Sequence, residues 1–122
     1  ALRTFAQAAG LNHPDAFLQV ANHIFQFGRL PECYVTKADA QHLGWQPGSD
    51  LWKVAPGKAM GGDRFGNREK QLPFGQYVEA DLDYSGGKRG AKRLIFARNS
   101  AGTWKQWVTV DHYVTFRPVP GN

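Results

Sequence analysis

YVEADLDYSGGKRGAKR, residues 77–93, holds an alternating run, a glycine turn and a basic return in one stretch. Val78, Ala80 and Leu82 alternate with Tyr77, Glu79, Asp81 and Asp83, so an extended chain puts small apolar groups on one face and carboxylates on the other. Ser85-Gly86-Gly87 turns the chain, and Lys88, Arg89, Lys92 and Arg93 bring it back beside the acids. One face builds core; the other holds carboxylates next to fixed cations. Such a pairing suits chemistry on a phosphodiester, where Arg or Lys binds phosphate oxygens and a carboxylate takes a proton from an attacking hydroxyl. Ordinary cross-strand ion pairs give the same pattern, so the flanking chain has to separate the two readings.

Downstream, short β-branched and aromatic segments separated by Gly, Pro and Asn predict strands near 59–65, 76–83, 91–98, 103–110 and 113–117. Asn99-Ser100-Ala101-Gly102 and a tight Asp111-His112 corner supply further turns. Upstream, residues 1–13 are only weakly periodic. Asn12-His13-Pro14 then starts a helix whose stripe is Phe17, Val20, Ala21 and Ile24, and Gly28 stops it. Thr36 with Asp39 predicts a capped short helix through Leu43, ended by Gly44, and Ser49-Asp50 caps one further turn before Pro56-Gly57. The expectation is an α+β fold: N-terminal helices packed on one face of a five-stranded antiparallel sheet, as a single domain over residues 1–122.

With 122 residues the chain can bury one core unaided, and no apolar run approaches the length of a membrane span. The start at Ala1-Leu2-Arg3 reads as a mature or excised domain. A formal charge of +5 favours a polyanionic partner, with nucleic acid first. Cys33 is the only cysteine, which excludes an internal disulfide and a thiolate metal cluster, and its expected place is a small apolar slot. His13, His23, His42 and His112 show neither HxH nor HExxH spacing, and no phosphate-loop pattern occurs among the 14 glycines, so neither a metal nor ATP is implied.

His112 stands apart from the other histidines because a strand corner can present it to a cleft. Cleaving RNA without a metal needs a base for the 2′-hydroxyl, an acid for the 5′-oxygen leaving group, and cations for the phosphorane between them. Glu79, His112 and the group Lys37, Arg89 and Arg93 fill that list.

These segments, in this order, resemble barnase and the related bacterial guanyl-preferring ribonucleases. Tyr34-Val35-Thr36-Lys37 and Gln41-His42-Leu43-Gly44-Trp45 match the second-helix motif. Val54-Ala55-Pro56-Gly57-Lys58 and Gly61-Gly62-Asp63 lead into the first long strand, and Phe65-Gly66-Asn67-Arg68-Glu69 is similar to the guanine-recognition loop. Glu79-Ala80-Asp81, the pair Arg89 and Arg93, and Asp111-His112-Tyr113 match the base strand, the spaced arginines and the acid corner.

The resemblance implies that Glu79 is the base and His112 the acid in transesterification to a 2′,3′-cyclic phosphate, with Lys37, Arg89 and Arg93 stabilising the transition state. Asp63 and Asp81 would be supporting carboxylates that hold the cations, and Arg93→Ala would lower kcat/KM far more than stability. Phe65 and Tyr113 would line the base pocket, Asn67 and Arg68 would belong to it, and Glu69 would accept from guanine N1 and N2. The implied substrate is single-stranded RNA cut 3′ of guanosine. No cofactor is implied; the enzyme would be a monomer, secreted or delivered as a toxin into a target-cell cytoplasm, and its own cell would need an acidic barstar-like inhibitor. The alternative on the same fold is a non-catalytic RNA-binding or inhibitor-docking module. Gly66 departs from the family's small hydroxyl residue, the segment from Glu69 to Glu79 is shorter, and the hairpin between Arg93 and His112 is longer.

Overall fold

The computed structural model describes residues 1–73 and 75–121. Two helices, α1 (Leu2–Ala9) and α2 (Pro14–Phe27), precede the sheet. In α2, Phe17, Val20, Ala21 and Ile24 are all buried, as their spacing predicts, and Gly28 ends the helix at φ 72 with its N–H on the Ile24 carbonyl. Gly28 also admits a close neighbour, since a Cβ there would meet the Trp104 ring at 2.6 Å. α1 is more than the weak periodicity of residues 1–13 promised. Its N-cap, Ala1, makes no side-chain capping bond, so the start signal is missing although Ala6 and Ala9 are buried.

Among the described residues the sheet has six strands in sequence order: β1 (Tyr34–Val35), β2 (Ala59–Phe65), β3 (Tyr77–Asp81), β4 (Arg93–Arg98), β5 (Trp104–Thr109) and β6 (Arg117–Pro118). The expected five-stranded antiparallel sheet differs here in two ways. β1 adds a strand, and it runs parallel to β2 with Tyr34 beside Ala59. The last expected strand, 113–117, shrinks to Arg117–Pro118, because Asp111–Phe116 is spent on an extended corner instead.

α1 and α2 cover one face through Leu82, Leu94, Phe96 and Val108. α3 (Lys37–His42) and the 3₁₀ turn Leu51–Lys53 do not join that layer. They form a second cluster around Ala40, Trp45, Leu51, Ala55 and Met60, next to the β1–β2 edge. Both caps form as expected: Thr36 Oγ1 accepts from the Asp39 N–H, and an Asp50 oxygen from the Trp52 N–H. The opposite face of the sheet carries a third cluster, Leu72, Tyr77, Ile95 and Ala97, with Phe65, Trp107, Tyr113 and Phe116 packed against it. Cys33 is exposed rather than seated in an apolar slot, as it directly precedes the two-residue strand.

The loop between β3 and β4 is held by acids at both ends. Asp50 Oδ1 accepts the Gly87 N–H, while Asp83 accepts the Asn12 and His13 N–H groups and pairs with Lys92 at 3.0 Å. Burial alone would raise the Asp83 pKa, but these bonds outweigh it and hold the carboxyl below its ordinary value. Residues 88–93 are thereby fixed relative to α2 and the 3₁₀ turn.

Candidate active site

Strand parity places Tyr77, Glu79 and Asp81 on the face away from α1 and α2, and the register sets Asp63 beside Glu79 and Arg93 beside Asp81. Asp81 is buried and receives a two-pronged Arg89 contact, Nε to Oδ2 at 2.8 Å and Nη2 to Oδ1 at 2.6 Å. The hydrogen bonds to Asp81 raise the Arg89 pKa, so that guanidinium is permanently charged. Arg93 lies 3.0 Å from Asp81 Oδ1 through Nε, but the N–H is not aligned for a hydrogen bond, so the contact is an ion pair only. Its Nη1 donates to the Gly90 and Lys92 carbonyls. A buried carboxylate thus fixes two guanidinium groups beside the base strand.

Glu79 keeps its own oxygens for other partners. Oε2 accepts from the Tyr113 hydroxyl at 2.6 Å, and Oε1 lies 3.9 Å from Arg89 Nη2. Burial, then the bond to Glu79, pushes the Tyr113 pKa up, so the phenol stays protonated and remains a donor. The Tyr113 role extends beyond the base pocket that the sequence assigned it, because its hydroxyl also holds the carboxylate.

Tyr113 and its neighbour form the corner that exposes His112. Both take left-handed backbone angles, φ 54 at His112 and φ 74 at Tyr113. Each such residue with a Cβ costs on the order of 1–2 kcal/mol, and Asp111 supplies the compensation. Its carboxylate accepts from Thr109 Oγ1, Thr115 N and Thr115 Oγ1, while Thr109 Oγ1 accepts the Tyr113 N–H. The two Thr115 bonds, then Thr109, lower the Asp111 pKa to about 2. Asp111 was absent from the site residues read from sequence; the signal that could have found it is the Thr109, Asp111, Thr115 spacing of a side-chain turn.

His112 and Tyr113 share a cavity of about 780 Å³ with Phe65, Arg68, Glu69 and Phe116. Tyr113 stacks on Phe65 at 4.8 Å between centroids. The 65–69 loop is braced from within: Asn67, at φ 47, donates through Nδ2 to the Leu72 carbonyl and accepts the Leu72 N–H on Oδ1. The Asn67 side chain therefore shapes the loop. Glu69 accepts from Gln71 Nε2 at 3.0 Å, and the same nitrogen reaches the Tyr113 carbonyl at 3.4 Å, tying loop to corner. Nothing in the sequence singled out Gln71.

Asp63 departs from the cation-holding role expected of it, since its Oδ2 accepts the Lys37 backbone N–H at 3.0 Å and it forms no ion pair among the described residues. It thereby anchors the first residue of α3 to β2. Lys37 is exposed, and its ammonium makes no ion pair among those residues. No group of three or more His, Cys, Asp or Glu side chains is arranged to hold a metal among the described residues.

A ribonuclease family profile matches residues 19–120. A ribonuclease of Heyndrickxia coagulans is 42% identical over 106 residues, covering 84% of this chain and 94% of the relative. Ribonucleases of Bacillus intermedius and Bacillus pumilus are each 42% identical over 106 residues, and the match spans 63% of their length.

Proposed function

The chain belongs to the barnase-like bacterial ribonuclease family, and from that premise we propose that it is a metal-independent endoribonuclease cutting single-stranded RNA 3′ of guanosine. The observation that carries the reading is the Glu79 carboxylate, adjacent to Arg89 and braced by Tyr113, the residue next to His112 in the corner. Glu79 takes the proton of the guanosine 2′-hydroxyl. The 2′-oxygen attacks phosphorus, and His112 gives a proton to the departing 5′-oxygen, leaving a 2′,3′-cyclic phosphate. Arg89, Arg93 and Lys37 stabilise the charge that builds on the phosphorane oxygens. If water later opens the ring, the two residues exchange roles.

Guanine preference falls to Glu69, since adjacent N1–H and N2–H donors match the two oxygens of one carboxylate. Adenine offers no N1 proton and leaves that carboxylate unpaired. Bidentate base contacts are worth about 1–3 kcal/mol, or roughly ten- to over a hundred-fold. Phe65 and Tyr113 form the apolar side of the base pocket, and Arg68 rims it. We further propose a monomer that acts outside its own cell or as a delivered toxin, kept harmless at home by an acidic barstar-like protein laid over the cationic cleft.

The test is product analysis on a defined oligoribonucleotide in the presence of chelator. Cleavage after guanosine with 2′,3′-cyclic phosphate ends is expected, and a 2′-O-methyl group on that guanosine should block it. Loss of activity in chelator, or comparable cutting of DNA, would overturn the mechanism.

A further inference from the structure

A second cavity, of about 400 Å³, opens on the same sheet face at the far end of β4 and β5. Tyr77 and Trp107 form its aromatic wall, their rings edge to face at 5.5 Å, and Arg98, Lys105, Asn99 and Pro118 complete the lining. Tyr77 is buried, but Trp107 is only partly so. Among the described residues no carboxylate lines this cavity, and Lys105, beside Ala97 on this face, enters no ion pair, whereas the Arg98 side chain alternates to the helix face and donates through Nε to the Gly102 carbonyl. A lysine left without an acid beside a partly exposed indole suits one ligand class: a nucleotide, whose base stacks on the ring while its phosphate meets the charge.

The cavity shares no lining residue with the larger one at His112 and Tyr113, but a row of packed rings links the two. Tyr113 stacks on Phe65, Phe65 meets Tyr77 edge-on at 6.4 Å, and Tyr77 meets Trp107. In the register Phe65 lies beside Tyr77, and Ala97 beside Lys105, so one row of the sheet joins the two cavities. Asp81 and Arg93 mark the other end of β3 and β4, where the scissile phosphate would sit.

We propose that this cavity is an accessory subsite for single-stranded RNA, holding a nucleotide on the 5′ side of the cleaved guanosine. The polarity follows from the placement. The scissile phosphate, 3′ of the guanosine, belongs at the Asp81–Arg93 end, so chain leaving the guanine pocket toward Trp107 is the 5′ portion. The subsite rests on the reading of the main site given above. Stacking on an indole tolerates any base, so it adds affinity without narrowing sequence choice.

The experiment compares kcat/KM on the dinucleotide GpA, on GpA extended by three uridines at its 5′ end, and on GpA extended equally at its 3′ end. For the native chain, the 5′ extension should lower KM by about ten-fold. Trp107→Leu should lose most of that gain and Lys105→Gln part of it, with GpA and the 3′-extended substrate little changed in both. If Trp107→Leu fails to fold, Lys105→Gln, a substitution on a partly exposed strand position, decides alone. The proposal is overturned if Lys105→Gln handles the 5′-extended substrate as well as the native chain does, or loses all three substrates equally. Failure of the native chain to cleave GpA itself would count against the main-site reading instead.

Discussion

Asp81 has a side chain only 2% exposed, yet two guanidinium groups are positioned by it. Stripping such a buried carboxylate of every partner costs about 3–5 kcal/mol, and losing Arg93 alone costs less because the Arg89 fork stays on Asp81. Arg93 is itself buried and also bonds two backbone carbonyls. Arg93→Ala should therefore lose measurable stability together with rate, where the sequence-based expectation was a fall in kcat/KM far larger than the fall in stability. Arg89, whose side chain is 18% exposed, separates the two effects better. Arg89→Lys keeps a cation beside Asp81 but loses the planar fork, and kcat/KM should fall about a hundred-fold with a much smaller drop in Tm than Arg93→Ala shows. Equal drops in Tm for the two variants would contradict this division of labour. Glu79→Gln and His112→Gln should each remove one limb of a bell-shaped pH profile of kcat/KM, and full activity in either variant would sink the acid and base assignment.

Among the elements, the corner from Asp111 to Phe116 carries the most function for its length. Because the folded Asp111 pKa is depressed from 3.8 to about 2, its hydrogen bonds contribute fully above pH 3.8 and are lost as the pH falls through 2. Asp50 and Asp83 are lowered too, so the corner's share has to be isolated by substitution. Asp111→Asn should flatten the fall in Tm between pH 4 and pH 2 relative to the native chain; an unchanged slope would show that the corner does not depend on this carboxylate. Much of this architecture was legible because its signals are local. Thr36 caps α3, Gly28 stops α2, and the parity of 77–83 fixes which face holds Glu79. β1 was hidden because two residues have no periodicity, and Tyr34–Val35 becomes a strand only through parallel pairing with β2. The Glu79–Tyr113 bond spans 34 residues, and no spacing rule reaches that far; motif resemblance placed both residues in the site but did not reveal their contact.

At the scale of the whole molecule, charge and fold act together. The chain carries +5, and several of its acids are consumed internally: Asp81 by Arg89 and Arg93, Asp83 by Lys92, Asp63 by a backbone N–H. Lys37, Arg68 and Lys88 form no ion pair among the described residues, so the positive field is carried by groups free to meet phosphate. A single-stranded polyanion releases about 0.7 counterion per phosphate neutralised, and an RNA that contacts three or four phosphates should show a slope of about −2 to −3 in log affinity against log salt. Between 50 and 200 mM salt that is a fall of roughly 15- to 60-fold in kcat/KM where KM follows binding, whereas GpA, with one phosphodiester, should fall only about three-fold. The comparison isolates the extended surface from the catalytic centre, because both substrates present the same scissile bond to Glu79 and His112. If the two slopes coincide, the charge outside the centre does not engage the chain of phosphates, and the excess of Lys and Arg has to be explained by something other than RNA.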